Sequence, residues 1–261
     1  MSTIIIPSKY ADIFEPCRES LDKFAPSHSK ILVRDGNDIP EPTGPNWKMI
    51  QGSAEKFVYA RNVNLAIAET AVGNIFLCND DVRFTDPNTI ETLENVLTLY
   101  PDVGILSPKI IGGVGNSLQS NVSAPIAYTE MRLAFVFVAI RRDVLNKIGN
   151  LDERFCGYGW DDCDFCRRAV TAGWKMAATA STSVTHGDGS PQGFSSSFRR
   201  APAINWDGSV EAYLAKWGDT KYQDFNAKGQ VNQIQRRAGG VYRYTGANST
   251  TVNWWDRHPR R

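Results

Sequence analysis

Residues 73–84 read Gly-Asn-Ile-Phe-Leu-Cys-Asn-Asp-Asp-Val-Arg-Phe. Asn74 to Cys78 is a short apolar run of the kind that forms a buried strand. It stops abruptly at Asn79, Asp80 and Asp81. Adjacent carboxylates at the end of a buried strand repel one another and resist removal from water. A hard cation such as Mg²⁺ or Mn²⁺ offsets both costs, because such ions prefer oxygen ligands and are commonly shared with substrate phosphates. A plain turn would use the same residues, since Asn and Asp are frequent turn formers. The flanking sequence has to separate the two.

Upstream, residues 3–7 (Thr-Ile-Ile-Ile-Pro) read as a first buried strand, and residues 10–24 as a helix with Ile13, Phe14, Cys17, Leu21 and Phe24 on one face. Residues 30–34 form a second strand, stopped by Asp35-Gly36. A Pro/Gly-rich loop at 40–45 leads to a third strand at 47–51. An amphipathic helix at 57–69 carries Arg61, Asn62 and Asn64. Downstream, Asp86-Pro87 opens a helix through Tyr100 with Leu93 and Leu97 inward, and residues 103–106 form the next strand. This alternation predicts an α/β fold with a mostly parallel central sheet flanked by helices. In such sheets ligands bind beyond the carboxyl ends of the strands, so Asp35 and the Asn79–Asp81 cluster should face one crevice. The usual nucleotide loops are absent. There is no GxxxxGK[ST], and Gly112-Gly-Val-Gly115 lacks the spacing and following helix of a dinucleotide fingerprint, so it reads as a flexible loop.

The second half adds a continuous apolar run at 133–140, read as a buried strand, and a short helix at 142–148 ended by Gly149. Then comes Gly157-Tyr-Gly-Trp-Asp161-Asp162-Cys163-Asp164-Phe165-Cys166-Arg167-Arg168. Carboxylates at a helix start interact favourably with its dipole. A purely local account makes Asp161 the cap and pairs Asp164 with Arg168 at i, i+4. That leaves Asp162 on the inward face with Phe165, Cys166 and Ala169. A carboxylate there is costly unless it faces a cleft or a partner, which makes Asp162 the stronger catalytic candidate.

The chain has 261 residues, 42% of them hydrophobic, enough to bury a sizeable core. The net charge of +1 is uneven: from Lys221 onward eight Lys/Arg against two Asp give that segment +6, leaving −5 for the rest. Five cysteines, an odd number in helix-like and strand-like segments, suggest reduced thiols rather than a disulfide framework. Cys163 and Cys166 have CxxC spacing, but in a helical run small thiols pack as core, which disfavours zinc. No signal-peptide pattern or membrane-length apolar run is present, so a cytoplasmic protein, at most peripheral at a membrane, is expected.

The order and spacing of these pieces resemble an inverting nucleotide-sugar glycosyltransferase of the GT-A fold, in the large family containing rhamnosyl- and galactofuranosyl-transferases. The resemblance covers about Thr3 to Gly218. It rests on the Ile-Ile-Ile-Pro opening, Asp35-Gly36, Ala60-Arg-Asn-Val-Asn-Leu-Ala-Ile, Asn79-Asp-Asp and Gly149-Asn-Leu-Asp-Glu-Arg-Phe. The Trp160-Asp-Asp-Cys-Asp block, Val184-Thr-His186 and Ala215-Lys-Trp-Gly complete it. It implies a catalytic domain at 1–218 and a separate basic, aromatic arm at 219–261. It also implies that Asp35 reads the nucleobase with Pro7 shaping the pocket, and that Arg61 and Asn64 line the donor side. Asn79-Asp80-Asp81 takes the position of an Asp-X-Asp motif, with Asn79 and Asp80 on the donor and Asp81 on the metal. His186 would complete the Mn²⁺ or Mg²⁺ site, with Asp162 the base and Asp161 its partner or an acceptor-orienting group.

The implied reaction is transfer of a hexosyl or pentosyl group from a nucleoside-diphosphate sugar to an acceptor hydroxyl, with inversion. Arg199 and Arg200, after a Gly/Ser-rich segment at 187–197 that reads as a lid or a surface loop, would assist the leaving group. The acceptor implied is a glycan or glycolipid. The arm, with Tyr222, Phe225, Tyr242, Tyr244, Trp254 and Trp255 among its basic residues, also suits nucleic acid or an anionic surface, so a hydroxylated DNA base is an alternative acceptor. The arm could equally pack on the catalytic domain or form a homodimer contact. A non-catalytic sugar-nucleotide or glycan-binding module is the alternative of another class. The retention of Asp81 and Asp162 together with His186 favours an enzyme.

Overall fold

The computed structural model describes residues 2–36, 38–52, 57–114, 116–156, 159–190 and 206–218. Arg199, Arg200, the segment from 191 to 205 and the arm from 219 lie outside the described residues.

The first half alternates as its apolar runs require: β1 (Thr3–Ser8), α1 (Ala11–Phe24), β2 (Ser29–Arg34), β3 (Trp47–Gln51), α2 (Tyr59–Ala68), β4 (Ile75–Cys78), β5 (Val82–Phe84), α3 (Thr89–Leu99) and β6 (Val103–Ile111). Next come α4 (Ser117–Asn121), β7 (Ala127–Thr129), β8 (Phe137–Ile140), α5 (Arg142–Ile148), α6 (Asp161–Thr171), β9 (Lys175–His186) and α7 (Trp206–Trp217). Along one sheet the strand order is β3-β2-β1-β4-β8-β6-β9-β5, with β7 paired to β9.

β3, β2, β1 and β4 run parallel. Beyond them the sheet is mixed, because β8 runs against both β4 and β6, and β5 and β7 run against β9. Side chains alternate across a strand, so Ile4, Ile6, Phe76 and Cys78 enter one core with α1 and α3, while Ile5, Leu77 and Val33 enter the other with α2, α5 and α6. Burial on both faces explains why these strands read as continuous apolar runs rather than alternating ones.

Three expectations are revised. The run at 133–140 is a strand only from Phe137; residues 132–136 form a loop whose apolar side chains divide between the two cores, Ala134 and Val136 on the α1 and α3 side and Leu133 and Phe135 on the α6 side, where Phe135 meets the edge of Phe165. The cap of α6 is Trp160, in the left-handed region at φ 71°, and Asp161 is the first helical residue. β9 is invisible to the sequence pattern, because its Ala, Ser and Thr side chains carry little hydrophobic signal although it lies inside the sheet between β6 and β5. The Asp164–Arg168 pair is present at 2.9 Å.

Candidate functional site

Ser8, Asp35 and the Asn79–Asp81 turn stand at the carboxyl ends of β1, β2 and β4, on one rim of the parallel half of the sheet. Asp35 is 1% exposed, and one of its carboxylate oxygens accepts a 3.0 Å hydrogen bond from Asn62 of α2. Gly52 makes room for it. A Cβ there would lie 2.2 Å from Asp35 Oδ1, and the Gly52 N–H donates to the Arg34 carbonyl at 2.7 Å. Pro7 is buried in β1 opposite Val33.

In the acidic turn, Ser8 Oγ donates to Asp80 Oδ2 at 2.7 Å. Burial, and then the neighbouring Asp81, push Asp80 up to about 7 against that hydrogen bond. Asp81 is buried too, yet among the described residues neither of its carboxylate oxygens receives a hydrogen bond of normal geometry. The group facing it is His186, whose Nε2 lies 3.3 Å from Asp81 Oδ2. This meeting is a matter of strand register: β5 and β9 pair with Val82 opposite His186, and the Gly187 N–H donates to the Asp81 carbonyl at 2.9 Å. The other imidazole nitrogen, Nδ1, is bonded to the carbonyl of Gly113. Burial pulls this imidazole down, but Asp81 and the Gly113 carbonyl pull it further up, above its ordinary value. The glycine run is therefore a support for His186 rather than a free loop: Gly112 sits at φ 114°, and a Cβ on it would meet the His186 carbonyl at 2.6 Å.

A buried carboxylate without hydrogen-bond donors, beside an imidazole, is an arrangement a divalent cation can satisfy. Among the described residues no third carboxylate, imidazole or thiolate joins the pair to make a metal cluster.

A second pair of carboxylates heads α6. Asp161 is buried, and burial followed by Asp162 pushes it up to about 7. Asp162 Oδ2 is paired with Arg132 at 2.8 Å, and its Oδ1 accepts the Cys163 N–H at 2.8 Å. Tyr59, at the start of α2, lies close enough to Asp161, Asp162 and Asp80 for their charges to act on its phenol. Tyr59 is thus within electrostatic reach of both acidic groups.

The remaining candidates are placed as follows. Arg61 is half-buried on α2. Asn64 is engaged by the protein, its amide donating to the Leu151 carbonyl at 2.9 Å and to Glu153 while its carbonyl accepts the Leu151 N–H. The Asn79 N–H donates to the Val136 carbonyl at 2.9 Å. Sequence reasoning missed Ser8, Tyr59 and Arg132, and it listed Asn62 without a role. None belongs to a chemical pattern on its own; each is identified only by what it touches.

No family model matches the chain, and no curated protein matches it. Solved structures do. A mannosyltransferase, PcManGT from Pyrobaculum calidifontis in complex with GDP-Man and Mn²⁺, aligns over 71% of this chain with a TM-score of 0.54 and 16% identity. TarS 1–349 from S. aureus aligns over 71% with a TM-score of 0.55 and 13% identity. GalNAc-T7 with UDP, GalNAc and Mn²⁺ aligns over 86% with a TM-score of 0.60 and 14% identity. The aligned parts span 56%, 60% and 49% of those chains respectively. The fold is the GT-A fold.

Proposed function

We propose that the protein is a metal-dependent, inverting glycosyltransferase that moves a hexosyl or pentosyl group from a nucleoside-diphosphate sugar to an acceptor hydroxyl on a glycan or glycolipid. The observation that carries this reading is the buried Asp81 carboxylate facing His186, with a second carboxylate pair at the head of α6 within electrostatic reach of the same Tyr59 phenol. The Mn²⁺ bound in two of the structural neighbours supports it.

In this reading Asp35, backed by Asn62 and Gly52, receives the nucleobase beside Pro7. Arg61 and Asn64 line the donor side, and Asn79 and Asp80 face the ribose and phosphates. Asp81 and His186 would hold Mn²⁺ or Mg²⁺. The bound ion supplies Lewis-acid stabilisation of the charge that grows on the diphosphate. Arg199 and Arg200 are proposed to add to it from beyond the described residues. The acceptor oxygen attacks the anomeric carbon as the bond from that carbon to the diphosphate oxygen breaks, the electron pair leaving with the diphosphate. The hydroxyl proton passes to Asp162, general-base help worth roughly 10²–10⁴-fold. A single displacement inverts the anomeric centre.

The test is a panel of nucleotide sugars with Mn²⁺ or Mg²⁺, read by release of nucleoside diphosphate and by thermal shift. Metal-dependent turnover or stabilisation by one donor is expected. No response from any donor would leave a binding module as the better description.

A further inference from the structure

We propose that Arg132 is the positioning residue for the base, and that the loop following β6 sets it. This rests on the glycosyltransferase reading and concerns how that site is held together.

The Arg132–Asp162 ion pair is largely withdrawn from water, with side chains 13% and 14% exposed. A carboxylate so placed beside Asp161 would otherwise be free to rotate and would repel its neighbour. The guanidinium fixes Oδ2 while the Cys163 N–H fixes Oδ1, so one carboxylate of the adjacent pair has a set orientation and a compensated charge. The other groups facing this pair are the Tyr59 phenol of α2 and the Cys163 and Cys166 thiols of α6.

Arg132 is itself held from behind. Asn116 Nδ2 donates to the Arg132 carbonyl, while Asn116 Oδ1 caps α4 through the Leu118 N–H at 2.9 Å. Gln119 copies a strand partner for Ala134, accepting its N–H at 2.7 Å and donating to its carbonyl at 3.0 Å. At the other end of the same loop the Val136 carbonyl takes the N–H of Asn79, in the acidic turn. Gly113, Asn116 and Gln119 therefore brace both halves of the site. Gly113 orients His186 beside Asp81, and Asn116 with Gln119 orients the loop that presents Arg132 to Asp162. The glycine run with no nucleotide-binding pattern has this as its role.

The test uses the full chain, water as acceptor, and whichever nucleotide sugar of the panel is turned over. Arg132→Gln should lower kcat roughly 10- to 100-fold, less than the roughly 10²–10⁴-fold that the base itself supplies, with donor KM and the Mn²⁺-dependent titration by nucleoside diphosphate unchanged. Arg132→Lys should recover part of the rate. Asn116→Asp keeps the helix cap but loses the donor to Arg132, so it should fold and shift kcat the same way by less. Wild-type kcat in Arg132→Gln, a matching loss of donor affinity, or no recovery in Arg132→Lys would overturn the assignment. If Arg132→Gln does not fold, an unchanged kcat in Asn116→Asp overturns it instead. A wild-type chain that turns over no donor overturns the glycosyltransferase reading, and this inference with it.

Discussion

Two residues in the site are held at a cost that their neighbours offset only in part. Asp81 keeps both carboxylate oxygens buried with no group but His186 facing them at 3.3 Å among the described residues, directly after another buried carboxylate. Such groups are retained where a ligand repays them, which makes stability and function pull in opposite directions. Asp81→Asn removes a charge and the repulsion of Asp80. The variant should melt at or above the wild-type temperature without metal, and should lose the further stabilisation by Mn²⁺ plus nucleoside diphosphate; paired thermal melts check both. Tyr59 is the second case, its hydroxyl buried with no hydrogen-bond partner among the described residues. Deleting an unsatisfied polar group is neutral or stabilising, whereas deleting a partnered one costs about 1 kcal/mol. Tyr59→Phe should therefore unfold at the same or a higher urea concentration, and a clearly lower midpoint would show that the hydroxyl is bonded.

At the level of elements, the site depends on close backbone approaches and on the docking of α7. Next to β3, Gly52 comes so near β2 and α2 that a methyl group would lie 2.2 Å from Asp35 Oδ1 and 3.0 Å from Asn62 Oδ1. Gly52→Ala should cost about 1–3 kcal/mol, as overpacking does, and should weaken nucleotide binding by displacing Asp35; denaturation and nucleotide titration of the same variant test this.

α7 is pinned through a carboxylate of α6. Asp164, 0% exposed, takes bonds from Arg168 at 2.9 Å, Lys216 at 2.8 Å and the Trp217 indole at 2.8 Å. Tyr213 of α7 meanwhile packs 4.8 Å from the Trp160 ring, supporting a left-handed residue that would otherwise be strained by roughly 1–2 kcal/mol just before Asp161. Lys216 also reaches Asp152 at 2.7 Å. Arg154, against the opposing effect of burial and with help from Lys216, holds Asp152 well below the usual carboxylate range. A carboxylate depressed in the folded state stabilises above its unfolded-state value and loses that contribution as the pH falls. Stability should thus decline on acidification below about pH 4. Lys216→Met should lower stability at neutral pH and flatten the acid dependence, measured as urea midpoints from neutral pH downward.

At the scale of the whole molecule, the GT-A arrangement brings together groups far apart in sequence. Asp35, Asp80 and Asp81 come from strand ends of the parallel half, His186 from the last strand, and Asp161 and Asp162 from a helix that crosses to the other core. If this convergence serves a metal and a sugar nucleotide, a chelator should abolish donor turnover and the donor's thermal shift together, and Mn²⁺ should restore both. Among the described residues no helix is long and apolar enough to cross a membrane. The basic arm from 219 and the arginines at 199 and 200 lie outside the described residues, so the acceptor is to be sought by binding assays on the full chain.

The sequence by itself determined the α/β alternation, because strands buried on both faces must be continuously apolar and their helices amphipathic. It also determined the acidic turn, because consecutive carboxylates after such a strand are chemically conspicuous. It did not yield β9, whose small and hydroxylated side chains look like neither strand nor core until β6 covers one edge and β5 the other. Nor did it show Arg132 on Asp162, Asn62 on Asp35 or Gly113 on His186, since pairings across 30, 27 and 73 residues leave no local periodicity to read. Local pattern fixes elements through burial and backbone preference; only the packing of those elements decides which polar groups meet.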